Sequence, residues 1–139
     1  MAGNRALAWA GATAAVGGGV GLALPSAHYL PANLPLGGAE PDLDLGLRLV
    51  CAGALALAFA LAVLTLRQRR AEPLAFASLT GIAVAGILVH YLVITIPGTN
   101  RLAPSAVVQP AAGAWVLLAS GLVLAATGFA AAANVQRAR

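Results

Sequence analysis

Four apolar runs dominate this sequence, at residues 6–24, 43–66, 74–96 and 111–135. As helices rising about 1.5 Å per residue, each is long enough to cross a hydrocarbon core of roughly 30 Å. Asp44 and Arg48, both in the first turns of the second run, are the only charges inside these limits. The chain is 60% hydrophobic and only 9% charged, whereas charged residues make up about a quarter of an ordinary soluble domain. The sequence therefore predicts an all-α integral membrane protein. Its 139 residues form a single transmembrane domain, with no second domain.

The placement of arginines sets the expected orientation, because the basic side of a membrane protein stays cytoplasmic. With four spans, Arg5, Arg67, Arg69, Arg70, Arg137 and Arg139 fall on one side, against Arg48 and Arg101 on the other. Glu40, Asp42 and Asp44 sit with the first outer connection. The expectation is a four-helix up-down bundle in the plasma membrane, with the N and C termini both cytoplasmic. The net charge of +4 is then a signal of topology. It forms no basic stripe interleaved with aromatics, so nucleic-acid binding is excluded. Arg5 followed by an apolar run resembles the start of a signal peptide, but Pro25 disfavours cleavage after Ala27, and the segment is expected to be retained.

The connections differ in character. "PSAHYLPANLPLGGAEPD" is rich in proline and glycine and reads as a small irregular outer cap. "RQRRAEP" is a tight turn with Pro73 in the first turn of the third helix, which makes the second and third spans antiparallel neighbours. "PGTNRLAPSAVVQP" is a second outer connection that begins at a helix-ending Pro97. Asp42 is placed to cap the second helix, and Asp44 lies four residues before Arg48 as a surface pair. The single cysteine, Cys51, excludes an internal disulfide and reads as a helix-packing residue. Four spans with a larger first outer loop resemble the layout of tetraspan proteins, the claudin type included. That loop holds neither tryptophan nor cysteine, so the resemblance ends at layout.

Helix association in lipid depends on close packing, which small residues permit. Gly17 and Gly21 stand in a G-x-x-x-G relation within "VGGGVG", Gly121 precedes Ala125 by the same interval, and Gly86 precedes His90. These positions are expected at helix contacts, since glycine otherwise lowers helix propensity.

The two histidines and two tyrosines of the chain all fall in one repeated phrase, "HYLPANLP" from His28 and "HYLVITIP" from His90. The tyrosines Tyr29 and Tyr91 suit the interfacial belt, as do Trp9 and Trp115. His90 lies about 24 Å along its span counted from Leu74, where an ionisable group is expected to face the bundle or a cavity. Its ordinary role there is a hydrogen bond to a carbonyl or to Thr95. Two imidazoles at similar depth also raise axial haem ligation, or a quinone or lipid-headgroup pocket bordered by Tyr29 and Tyr91. Two histidines are too few to specify another metal, and no span carries a carboxylate at its centre. Nothing in the chain pairs a nucleophile with a base.

The expectation is thus a non-enzymatic accessory or scaffold subunit of a larger membrane complex. It would bind the bilayer and partner helices through small-residue faces. A haem- or quinone-binding anchor built on His28 and His90 is the alternative, and a small oligomeric transporter or channel is the third reading. The lack of a buried acidic group weighs against coupled transport.

Overall fold

The computed structural model describes residues 2–30, 43–102 and 107–137, the side chains of Ala2, Tyr29 and Leu30 excepted. The elements, in chain order, are α1 (Ala2–Ala23), β1 (Ala27–Leu30), α2 (Leu45–Gln68), α3 (Glu72–His90), a π-helical turn (Tyr91–Thr95), α4 (Ile96–Leu102), β2 (Val107–Pro110) and α5 (Ala112–Arg137). The chain is mostly helical, with four helical stretches long and apolar enough to span a membrane: Gly3–Ala23, Leu45–Gln68, Glu72–Leu102 and Ala112–Arg137. They coincide with the four apolar runs to within a turn at most ends.

Local chemistry accounts for the boundaries. Pro25 has no N–H and constrains the residue before it, so α1 stops just ahead of it. The cap of α2 is Asp44, whose side chain accepts a hydrogen bond from the Gly46 N–H at 3.0 Å. Asp42, the residue expected there, lies outside the described residues. At the other end of α2, Arg69 adopts φ 57°, the left-handed conformation that terminates helices, and donates its N–H to the Thr65 carbonyl. Pro73 then opens α3, where its missing N–H costs nothing.

The third span runs further than its sequence suggests. Pro97 does not end it: α3, the π turn and α4 continue to Leu102. A proline inside a helix removes one N–H and crowds the carbonyl a turn earlier. The π turn relieves both, because the ladder widens just before the proline and the Ile96 N–H reaches back five residues to the Tyr91 carbonyl. Pro97 thereby becomes the second residue of a new α-helical segment. The 31-residue stretch spans roughly 46 Å as a helix, longer than a hydrocarbon core is thick.

The connections expected on the outer side contribute a short sheet where the sequence suggested an irregular cap. β1 and β2 pair antiparallel, with His28 opposite Gln109 and Tyr29 opposite Val108. The all-α expectation is corrected to that extent. Periodicity could not reveal this ribbon, since each strand is four residues long and neighbours proline.

The core runs the length of the helices. Leu55, Leu74, Leu88, Leu117 and Leu124 are fully or almost fully buried, among alanines that allow the helices to approach. α5 makes its broadest contact with α3 and its next broadest with α1, while α2 lies against α1 and α3. The buried hydroxyls of Thr80 and Thr127 donate to carbonyls three residues earlier on their own helices, as buried polar groups in an apolar bundle require.

Candidate functional site

Two features stand out from the residues upward: a glycine seam between helices and the ribbon at one end of the bundle. The seam joins α3 to α5. A Cβ added to Gly81 would fall 2.7 Å from the Gly121 carbonyl oxygen and 2.9 Å from the Ala125 Cα. One added to Gly121 would fall 2.8 Å from the Ala85 nitrogen, and one on Gly128 would collide with the Ser78 backbone. Backbone thus rests on backbone along the seam, and only glycine fits these points.

A second seam joins α1 to α5. A Cβ on Gly21 would meet the Leu117 nitrogen at 3.0 Å, whereas one on Gly17 would make an ordinary contact with the Ser120 hydroxyl at 3.6 Å. The neighbouring Gly18, not singled out in the sequence, is tighter: its Cβ would lie 2.7 Å from Leu55 of α2. Gly113 also escaped notice, although its Cβ would meet three carbonyl oxygens, those of Gly21, Leu24 and Pro25, at 2.6–2.8 Å. No small-residue spacing marks Gly113, because its neighbours belong to the end of α1 and the turn after it. Gly86 differs from the others. It is exposed and a Cβ there would meet nothing within 4 Å, so among the described residues it brings no second helix close.

The two copies of His-Tyr-Leu end up in different structures. The first forms β1 and the second spans the junction of α3 with the π turn. His28 is exposed on the ribbon. His90 is exposed as well, on the outward stripe that continues Leu79, Ala83 and Gly86, and so it does not face the bundle. Tyr91, one residue on, is 3% exposed and packs in the core. The side chain of Tyr29 lies outside the described part. Axial haem ligation needs two imidazoles turned toward a shared interior space. Here the two point outward from different elements, and these donors do not fit that geometry. Among the described residues, no three His, Cys, Asp or Glu side chains gather as a metal site.

What the ribbon does have is a clamp. The Asn100 side chain of α4 accepts the Val108 N–H at 2.6 Å and donates to the Val108 carbonyl at 3.1 Å. The primary amide thus imitates one more strand residue along the free edge of β2. On the opposite side, the Ala111 N–H donates to the Ser26 carbonyl and the Gly113 N–H to the Pro25 carbonyl, at 2.9 and 3.0 Å. The end of α1, the end of α4 and the start of α5 are thereby tied together. At the other end of the bundle, Asn134 of α5 donates to Asn4 of α1 at 3.1 Å.

Exposed apolar side chains surround the bundle, among them Leu49 on α2, Leu79 and Ile82 on α3, and Phe129 on α5. Trp9 and Trp115 are also more than half exposed, near the starts of α1 and α5. Comparison of the chain with family models, with curated proteins and with solved structures finds no match.

Proposed function

We propose that this is a plasma-membrane protein with an up-down arrangement of four spans and both termini in the cytoplasm. In that membrane it acts as a non-enzymatic accessory or scaffold subunit of a larger complex. The arrangement is supported by the pairing of helix ends: Asn4 with Asn134 at one end, and Pro25 with Gly113 at the other. The cytoplasmic assignment follows from the arginines on the first of these ends.

The observation that carries the subunit reading is the division of small residues between inside and outside. Gly21, Gly81, Gly121 and Gly128 are consumed in holding the chain to itself, and Ala125 lies against Gly81. They hold the helices of the chain to one another. Gly53 and Gly86 instead face outward into open space, on helices whose outer surfaces are apolar. In lipid, an outward glycine on a helix that gains nothing from it internally permits close approach by a partner helix. The two exposed histidines count against the haem or quinone anchor. The backbone-to-backbone α3–α5 seam counts against a transport path between those helices.

The test is purification in mild detergent from native membranes after chemical crosslinking. A stable partner subunit, lost when Gly53 and Gly86 are both changed to leucine, is the expected result. A monodisperse protein without partner that conducts ions in liposomes would refute the reading.

A further inference from the structure

An apolar groove of about 280 Å³ runs between α1 and α2, with walls that include Ala15, Gly19 and Leu22 on one side and Ala52, Ala56 and Phe59 on the other. It opens sideways to the surroundings of the bundle, and Gly19 faces open space there. Its depth follows from the register of the two helices. Gly11 lies by Ala62 and Gly18 by Leu55, so the same register sets Arg48 level with Pro25, just past the end of α1. Arg48, Ala52 and Ala56 follow at four-residue intervals and share one face of α2. Arg48 is therefore one turn beyond the Ala52 end of the groove.

We propose that the groove holds an acyl chain of one phospholipid, with its phosphate bound by Arg48 and its ammonium group by Asp44. Charge selects this occupant. Arg48 is half-buried one turn before Ala52 on the same face of α2, and a guanidinium offers five donors in a fork that matches a phosphate, with donors to spare for a second partner. Asp44 is exposed one turn nearer the helix end and uses one carboxylate oxygen for the Gly46 N–H. The carboxylate keeps acceptor sites for a primary ammonium. A lone cation at this end would attract any lipid phosphate. Here it stands beside an acid, so the pair suits a zwitterionic aminophospholipid. A choline headgroup lacks N–H donors, and a glycerol headgroup lacks the cation.

The test uses the full chain, stripped of lipid and reconstituted in nanodiscs with equal amounts of phosphatidylethanolamine, phosphatidylcholine and phosphatidylglycerol. Lipid retained on the protein is then read by native mass spectrometry. One retained molecule is expected, with the ethanolamine lipid favoured about tenfold over the other two. Arg48→Gln and Ala56→Leu should each lower its retention about tenfold, the first by removing the phosphate donor and the second by filling the groove. Phe129→Leu, on the exposed face of α5 away from the groove, should leave it unchanged and reports that a folded bundle retains the lipid. Equal retention of the three lipids would overturn the proposal. So would retention indifferent to Arg48→Gln and Ala56→Leu, or a photocrosslinker at Ala56 that captures a protein helix in native membranes.

Discussion

At the scale of single residues, the decisive property is which side of a helix a small residue faces. Gly21 and Gly121 lie at close helix contacts, and the G-x-x-x-G and Gly-x-x-x-Ala spacings pointed to them. Gly86 and His90 were read from the same kind of spacing, yet both face outward. The reason is physical. A helix apolar on all sides has no polar stripe to mark its exterior, so sequence identifies close-packing candidates without showing the direction in which each points. A paired substitution exposes the difference. Gly81→Ala and Gly128→Ala push a methyl group into backbone and should each cost about 1–3 kcal/mol, the range for overpacking. Gly86→Ala should be neutral or stabilising by up to about 1 kcal/mol, since alanine has the better helix propensity and open space receives it. Thermal unfolding in detergent, followed by circular dichroism, measures both. Equal effects at Gly81 and Gly86 would contradict the seam.

At the scale of elements, the ribbon and the π turn of the third span depend on each other. The π turn lets the helix pass Pro97, and only because it passes does α4 deliver Asn100 to the edge of β2. A local reading of Pro97 as a stop is reasonable, since an unrelieved proline breaks a helix. The relief comes from hydrogen bonding that no proline rule encodes. Asn100→Ala should cost about 1–3 kcal/mol by leaving the two Val108 groups without their amide partner. Amide exchange at Val108 should accelerate at least tenfold while the helix centres stay protected. Asn100→Asp keeps an acceptor for the Val108 N–H but loses the donor to its carbonyl, so its effect should be intermediate. Unchanged exchange in Asn100→Ala would show that the clamp contributes nothing to the ribbon.

At the scale of the whole molecule, the proposed topology makes a direct prediction about access from the two sides of the membrane. In a Cys51→Ser background, Arg5→Cys, Gln68→Cys and Gln136→Cys should react with an impermeant maleimide only after the membrane is opened. Leu102→Cys and Gln109→Cys, at the ribbon end, should react in intact cells. Labelling of either group on the wrong side would reverse or break the arrangement. Sequence alone determined that four helices of membrane-spanning length exist and nearly where each begins, because apolar length, proline and caps act locally. Only the tertiary structure decided which faces meet, that Ala27–Leu30 and Val107–Pro110 form a ribbon, and that Tyr91 turns inward while His28 and His90 are exposed. Those outcomes depend on backbone approach and hydrogen bonds between segments distant in the chain, and such contacts leave no periodic trace in a sequence this uniformly apolar.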